Sequence, residues 1–532
     1  MLKLSVAPTY LDSSLAMSDL SQLDVWLRQQ PLGQPLECAE QLRQALEQLN
    51  RVRLAPAQRA KLLERHHQEH KLLLPLLERL AANGELTTQH KARHAARLAQ
   101  QLSTALHTGY KLLAMERSEE HGLLVLDKYK TEALCLAMRS ARQMAFLYAR
   151  TYTTLPEGFW HDCHRLFFFA LEKGWENTPL PGQTKSPAHY YRQLLLLGMT
   201  ASNRMAPALI DYTLLLIRKH ADLLDLLHLG HLTSGHGSFA FQPGADLPPR
   251  YISEAPDTPA AQGIWVLDTH ALEAALKSKL QKLQYLARHQ DNPFELEEEV
   301  QHVLYLTMEW QSSIQRRHER LPSTEEVELV SSLSTIWFIS NGAAWTFPNG
   351  EALPTELLPA NTMYGKQPRL PPLPVKLKVV NTSASGMLLR GEAQYHPLRA
   401  GELLLLRHPG QPWQLAVARW VNLCGEQMET ECGVEILGPQ PEAVMLLPLL
   451  THPNDHYHMA LRLPAMPRPG KQPLLVIPDR QYQRQREFYL LDRHGRQVIC
   501  TTSLSLQTAS HQFVEYRPSA LSAATHHPSR IG

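Results

Sequence analysis

The sequence contains few cysteines for its length. Its six cysteines are spread over 532 residues and no two form a C-x-x-C pair, which excludes a dense disulfide framework. This usage favours a reducing compartment, and we expect a cytoplasmic protein. The cysteines are Cys38, Cys135, Cys163, Cys424, Cys432 and Cys500.

Long apolar runs are also absent. The leucine-rich stretches at 72–77, 194–197 and 403–406 are far shorter than the roughly 20 apolar residues that a membrane-spanning helix requires. The first residues of the chain contain no sustained apolar segment of the kind found in secretory signals. We therefore expect neither a membrane span nor secretion.

The chain has almost no excess of charge of one sign. Its 53 Lys and Arg balance 51 Asp and Glu, for a formal net charge of +2, so no overall basic field points to nucleic acid or to an anionic membrane. Phosphate loops of the types G-x-x-x-x-G-K-[ST] and G-x-G-x-x-G are missing, as is the G-x-S-x-G elbow of hydrolases. Any anion site must be local, and no nucleic-acid partner is expected.

The sequence does contain enough apolar residues for several folded cores. With 532 residues, of which 44% are hydrophobic and 20% charged, the chain has a globular composition and exceeds the size that one core usually organises. We predict a multi-domain α+β protein with about two to four domains. Helical patterns come first along the chain, and strand patterns follow.

Residues 1–312 form a predicted all-α region. Apolar residues recur there at helical spacing, as do Cys38, Leu42 and Leu49, which is typical of amphipathic helices packed side by side. Residues 229–263 are rich in Gly, Pro, Ser and Asp, and this composition predicts a long surface loop. Helical spacing resumes after that loop.

After Pro322 the pattern changes to short strands. Within 375–379 apolar residues alternate with lysines, as expected for strands buried on one face, and glycine turns separate such runs at the spacing of a small antiparallel barrel. We assign this barrel to residues 313–447, with an insertion at about 336–371. The side chains expected to point into the barrel are Val417, Val421, Val434 and Ile436.

The last part of the chain is predicted to be a linker and a small β element. Residues 448–473 include a proline-rich stretch and are assigned as the linker. Residues 474–520 contain alternating runs joined by Asp492–Gly495, a sequence typical of a hairpin turn. We expect this β element to pack beside the barrel without sharing strands with it.

One histidine cluster fits a known zinc pattern. His66, Glu69 and His70 belong to an H-x-x-E-H sequence, in which two histidines one helical turn apart bind zinc and the glutamate acts as a base. The flanking residues are those of an amphipathic helix, so we interpret the cluster as a polar, solvated helix face. A metal-dependent hydrolase is the alternative.

Two further clusters are possible metal ligands. The first is the His-Asp-Cys-His sequence at 161–164, which we interpret as partly buried histidines with satisfied hydrogen bonds. The second, in an expected surface connection, comprises His452, Asp455, His456 and His458. Metal binding stays an alternative for both clusters, and we predict no metal and no other cofactor.

The strongest motif is N-x-S-x-x-G, formed by Asn381, Ser383 and Gly386 between two strand-like runs. The strand-like segments that follow it are 401–404, 417–421 and 433–437. Together, in this order, they resemble the PilZ domain of bacterial cyclic di-GMP receptors over about residues 314–445. The resemblance implies a PilZ-like antiparallel β-barrel in which the asparagine and serine hydrogen bond to the ligand. The glycine would permit a tight backbone conformation that a Cβ would obstruct.

Members of that family bind the dinucleotide with a second motif, R-x-x-x-R, which precedes the first strand. Arg316, Arg317 and Arg320 have this spacing and order, and the resemblance implies that they clasp the ligand. A guanidinium can pair with guanine O6 and N7, stack on the base and bind phosphate. The insertion at 336–371 makes the separation of the two motifs longer than the family's. A second match, Arg480–Arg484, lies downstream of the serine motif and is ranked second.

The resemblance implies a cytoplasmic cyclic di-GMP receptor without enzymatic activity. Its barrel would bind the nucleotide, and its helical region would act on a protein partner that the sequence does not name. A second hypothesis is a non-catalytic interaction scaffold with a degenerate PilZ domain, and a third is the metal-dependent hydrolase based on the His66 helix. Ligand contacts from Arg316 and Arg320 separate the first two hypotheses, and bound zinc tests the third.

Overall fold

The structure, a computed structural model, consists of two compact units, 1–202 with 208–315 and 203–207 with 316–532. It describes residues 2–10, 16–31, 33–82, 89–120, 126–228, 238–252, 263–289, 294–311, 319–354, 357–358, 363–364, 367–368, 373–391, 398–424, 429–449, 456–464, 473–478, 482–508 and 511–519. Helices dominate the first unit and strands the second, so the predicted multi-domain α+β class is confirmed.

Amphipathic helices build the first unit. They are α1 (Leu20–Arg28), α2 (Pro35–Leu49), α3 (Pro56–Ala82), α4 (Gln89–Glu119), α5 (Asp127–Arg150), α6 (Phe159–Lys173), α7 (Pro187–Gly198), α8 (Pro207–His220), α9 (His270–Arg288) and α10 (Phe294–Glu309). Cys38, Leu42 and Leu49 of α2 are buried as their spacing predicts. None of the described helices combines the length and apolar character needed to cross a bilayer.

A small antiparallel sheet interrupts these helices. Its strands are β1 (Asp225–His228), β2 (Ser238–Phe241), β3 (Arg250–Ile252) and β4 (Trp265–Asp268), in the order β1-β4-β2-β3. The loop predicted at 229–263 therefore contains two strands, and the unit is not purely helical. Burial of aromatic side chains accounts for the difference, since the Phe241 ring stacks on His164 of α6 with 5.0 Å between centroids. Gly- and Pro-rich composition does not reveal such long-range packing.

The second unit begins with a closed six-stranded barrel. Its sequence contains β5 (Leu321–Pro322), β6 (Glu326–Ser331), α11 (Leu333–Ser340), β7 (Met363–Tyr364), β8 (Gln367–Pro368), β9 (Val375–Ser383), β10 (Gly386–Gly391), β11 (Leu403–Arg407), β12 (Gln414–Cys424) and β13 (Glu429–Pro439). Six strands form the barrel in the order β10-β13-β12-β11-β6-β9, and the pairing of β9 with β10 closes it. Strand β5 pairs with β9 as an additional strand, and β7 and β8 form a separate two-stranded sheet. The predicted antiparallel barrel is thus present.

Val417 was predicted to point into this barrel, but it lies on the outer face of the sheet. Val421 and Val434 are buried and pair with interior residues, but Val417 pairs with Glu435, whose side chain is exposed. Directly paired residues share a face of the sheet. The pairing skips Arg419, and this bulge reverses the alternation along β12. Val417 is nevertheless buried.

A second closed barrel follows directly. Its strands are β14 (Glu442–Pro448), β15 (His458–Leu463), β16 (Leu474–Pro478), β17 (Glu487–Asp492), β18 (Gly495–Gln507) and β19 (His511–Pro518), in the order β14-β15-β16-β19-β18-β17. The predicted linker 448–473 therefore contains a strand, and the C-terminal element extends upstream to Glu442. The predicted hairpin turn is present, because Asp492 pairs with Gly495. Strand β15 was not predicted, because the prolines on either side of it made the whole segment resemble a linker.

Helix α11 lies in the core that the two barrels share. Its Trp337 is fully buried, and the indole N–H donates to the carbonyl of Val444 in β14 at 3.0 Å. Leu405 of β11 and Leu461 of β15 belong to the same apolar cluster. The two barrels of this unit are thus joined by continuous side-chain packing, which couples their stabilities.

Candidate functional site

The N-x-S-x-x-G motif forms the tip of a β-hairpin. Strand β9 ends at Ser383, β10 begins at Gly386, and these two residues pair across a two-residue turn. The Ser383 hydroxyl donates a hydrogen bond to the Gly386 carbonyl oxygen at 3.1 Å. This bond ties the turn together and leaves the lone pairs of the hydroxyl oxygen as acceptors.

A bulge directs the motif outward. Asn381 pairs with Leu388 and Val379 pairs with Leu389, so Val380 has no partner in the ladder. Val379 and Leu389 are buried in the barrel, and strict alternation would also point Asn381 inward. The extra residue at Val380 instead turns Asn381 to the outer face.

A short strand brings the segment after the arginine motif to this hairpin. In β5, Leu321 pairs with Thr382 and Pro322 pairs with Asn381. Arg320 immediately precedes Leu321, so the same antiparallel register continues toward Ser383. Arg320 is exposed and makes no hydrogen bond or ion pair with any described residue. The long insertion therefore does not separate Arg320 from the serine motif.

The outer face beside the hairpin contains an unsatisfied acceptor and an aromatic ring. The Asn381 side-chain oxygen is shielded from solvent and has no hydrogen-bond partner within the described chain. Its neighbours along the same row of the sheet are Leu388, Gly433 and then Trp420. The five-membered ring of Trp420 fills the space where Gly433 lacks a side chain. A buried amide oxygen without a partner is costly, so this row offers a favourable position for a donor.

Two other arginines on the outer face are already paired. Arg390 donates from Nε to Glu431 at 2.9 Å, and Arg419 donates from Nε to Glu435 at 2.6 Å. Exposed pairs of this kind contribute little stability, but they neutralise the cations concerned. Arg320 is therefore an uncommitted cation next to the hairpin in the described part of the barrel, as is the exposed Lys378 of β9.

Several predicted residues cannot be compared with this geometry. Arg316, Arg317 and Arg480 lie outside the described residues. Arg484 is exposed between β16 and β17 of the second barrel. The downstream R-x-x-x-R match thus ends on a different barrel from the serine motif.

The H-x-x-E-H helix is buried, which corrects its interpretation as a solvated face. His66 and His70 of α3 are 1% and 3% exposed, and burial lowers the pKa of each to about 4. His66 Nδ1 lies 2.9 Å from the Leu62 carbonyl oxygen, and His70 Nε2 lies 2.9 Å from the Ser103 hydroxyl. The two histidines lie on the buried face of α3, at helical spacing from Leu62, Leu73 and Leu77, and this face packs against α4.

The second histidine cluster is held by hydrogen bonds. His164 is buried, with Nδ1 at 2.7 Å from the Tyr191 hydroxyl and Nε2 at 3.1 Å from the Leu247 carbonyl oxygen. Asp162 accepts from the Lys111 ammonium at 2.8 Å. Of the third cluster, His452 and Asp455 lie outside the described residues. In the part of the chain that the structure describes, no group of three or more His, Cys, Asp and Glu side chains is arranged to hold a metal ion.

Comparisons with known proteins point to one family along most of the chain. The family model for the N-terminal domain of the cyclic-di-GMP receptor FimW matches residues 21–230, and the model for its middle PilZ domain matches 238–349 and 361–442. The cyclic-di-GMP receptor FimW of Pseudomonas aeruginosa is 26% identical over 584 aligned positions, which cover 96% of this chain and 92% of that protein. No solved structure matches the chain.

The matched segments differ from the predicted boundaries in one respect. The PilZ match begins at residue 238, upstream of the predicted start at 313. In the structure, residues 238–315 belong to the same compact unit as the helices. The interruption of the match at 350–360 falls inside the predicted insertion at 336–371.

Proposed function

The chain belongs to the PilZ family and has the domain arrangement of the cyclic-di-GMP receptor FimW, and from this membership we propose that it is itself a cyclic di-GMP receptor. The nucleotide binds on the outer face of the first barrel, at the tip of the β9–β10 hairpin. Arg316, Arg317 and Arg320 supply the cations, and Asn381, Ser383 and Gly386 form the hairpin side of the site.

The observation that carries this proposal is the meeting of two distant sequence motifs. Arg320 and Ser383 are 63 positions apart in the sequence. They are nevertheless brought close, because Leu321, next to Arg320, pairs with Thr382, next to Ser383. A cation without a partner next to a polar turn is suited to an anion with hydrogen-bonding bases. Cyclic di-GMP has this chemistry, because it carries two phosphates and two guanines.

Each side chain of the site has a separate role. Arg320 pairs with a phosphate or with the O6 and N7 edge of a guanine, for which a guanidinium has matched donors. The Asn381 oxygen accepts from a guanine N–H, which would satisfy this otherwise unpaired atom. Trp420 provides an aromatic surface in the same row, on which a base can stack.

The proposed function is binding and signal transfer, with no catalytic step, metal or cofactor. The protein acts in the cytoplasm, where it responds to the concentration of the dinucleotide. The helical unit receives the signal and contacts a protein partner. A scaffold with a degenerate barrel is the competing function, and the presence of the free Arg320 cation beside the motif favours the receptor.

Replacing Arg320 by alanine is expected to weaken cyclic di-GMP binding by roughly tenfold or more, the effect of losing about 1.5 to 3 kcal/mol from a hydrogen bond to a charged group. Titration calorimetry on the full chain measures the change. Arg316→Ala is expected to have an effect of similar size. Arg484→Ala is the matched control, since this exposed arginine belongs to the second barrel, and its affinity should equal that of the wild type.

The outcomes separate the hypotheses. A wild-type protein that binds no cyclic di-GMP at high micromolar concentration would refute the receptor and leave the scaffold. Binding that is lost in Arg484→Ala and retained in Arg320→Ala would move the site to the second barrel.

A further inference from the structure

A row of arginines lies along one face of α5 in the helical unit. Arg139 and Arg142 are three residues apart, so their side chains leave the helix on the same side. The guanidinium carbon of Arg142 lies 5.2 Å from the centre of the Phe146 ring. Arg218, in the last turn of α8, lies 5.4 Å from the same centre. Two arginines from different helices therefore contact one aromatic ring.

Arg139 and Arg142 form no ion pair with a carboxylate in the described part of the helical unit. Burial lowers the pKa of Arg218, and the nearby Asp211 carboxylate, which already pairs with Arg150, acts in the opposite direction. The Nε atoms of Arg139 and Arg142 are shielded from solvent and have no hydrogen-bond acceptor there. Arg150 on the same helix is different, because it forms ion pairs with Glu78 at 3.1 Å and with Asp211 at 2.6 Å. Buried charged donors without acceptors are costly, so an external acceptor would bind favourably.

A tyrosine adds a neutral donor to the same cluster. Tyr190 of α7 is 5% exposed, and the guanidinium carbon of Arg142 lies 5.5 Å from its ring centre. Burial raises the pKa of Tyr190, while Arg139 and Arg142 act in the opposite direction. The phenol is therefore protonated at neutral pH, and its hydroxyl can donate. Tyr190 has no hydrogen-bond partner for this hydroxyl among the described residues.

The cluster is electrostatically unfavourable when nothing is bound. Burial and, after it, the like charges of Arg218, Arg139 and Arg150 together lower the pKa of Arg142 to about 10. Arginine stays protonated at neutral pH even so, which means that the fold maintains several close, partly desolvated positive charges. An anion among them would relieve both the repulsion and the missing hydrogen bonds.

We propose that Arg139, Arg142, Arg218 and Tyr190 form a binding site for a phosphate group in the helical unit. Three guanidiniums exceed the charge of one carboxylate, whereas a phosphate monoester has a charge near −2 and three terminal oxygens that match forked donors. The phosphate belongs to a small phosphorylated molecule or to a phosphorylated side chain. This site is separate from the proposed dinucleotide site, since it lies in the other unit of the chain.

Thermal unfolding of the full chain tests the site, with inorganic phosphate, phosphoserine and acetate as probes at constant ionic strength. Phosphate is expected to raise the unfolding temperature saturably, and acetate is not. The variant R139Q/R142Q should bind phosphate at least roughly tenfold more weakly, because two charged donors are lost. Arg97→Gln is the matched control, since this arginine is exposed on α4, and its response should equal that of the wild type.

A charge-conserving variant and a comparison of the two phosphate probes make the result easier to interpret. R142K keeps the charge but not the forked donors, and an intermediate loss of phosphate affinity is expected. It also replaces the double variant if that variant fails to fold. Phosphoserine binding much more tightly than inorganic phosphate would assign the site to a phosphorylated side chain. The proposal would be overturned if neither phosphate probe stabilised the protein saturably, or if acetate raised the unfolding temperature equally. A full response to phosphate in both R139Q/R142Q and R142K would also overturn it.

Discussion

Replacing Gly386 by alanine is expected to destabilise the first barrel by about 3 kcal/mol or more and to abolish cyclic di-GMP binding. A Cβ at this position would overlap the carbonyl oxygen of Val434 and lie 3.0 Å from the carbonyl carbon of that residue. Both groups are backbone, so no side-chain rotation can relieve the overlap. Strands β10 and β13 would have to separate where they pair at Gly386 and Glu435.

The measurement is urea denaturation of the full chain, followed by tryptophan fluorescence, together with calorimetry of ligand binding. Gly438→Ala is the control within the same barrel. Its Cβ would meet only the Leu463 side chain at 3.4 Å, an ordinary van der Waals distance. The control should retain near wild-type stability. A Gly386→Ala protein with unchanged stability and affinity would show that the hairpin does not depend on this close approach.

The same hairpin indicates how far the sequence could predict the site. The alternation in 375–379 correctly predicts a half-buried strand, and the two strand-like runs on either side of the motif are confirmed as β9 and β10. The direction of Asn381 was not predictable, because it depends on the bulge at Val380. A bulge adds one residue to one strand, and single-strand hydropathy carries no information on the register with the partner.

The pairing of strands that are distant in sequence also limited the prediction of the fold. β5 has two residues, and its pairing with β9 crosses about 60 positions of sequence. In β15, Ala460 and Leu461 are fully buried, yet the neighbouring prolines suggested a linker. The buried face of α3 at His66 likewise depends on helices that cover it. Local patterns therefore predicted the class of each region, and long-range packing decided strand membership and burial.

Replacing Trp337 by alanine is expected to destabilise both barrels together by about 3 to 5 kcal/mol, the usual cost of truncating a buried tryptophan. The indole is fully buried in α11, and its N–H donates to Val444 of the second barrel. The apolar cluster around it includes Val330 of the first barrel and Phe513 of the second. Its removal leaves a cavity bordered by both barrels, so neither can keep its full core.

Denaturation monitored by hydrogen exchange in each barrel tests this coupling. In Trp337→Ala, protected amides of β12 and of β18 should lose protection by similar amounts, because the barrels unfold as one unit. Trp337→Phe retains an aromatic ring and loses the hydrogen bond to Val444, so a smaller loss of about 1 to 2 kcal/mol is expected. If the alanine variant destabilised β18 and left β12 unchanged, the barrels would be independent. Ligand binding to the β9–β10 hairpin would then have no route through α11 to the second barrel.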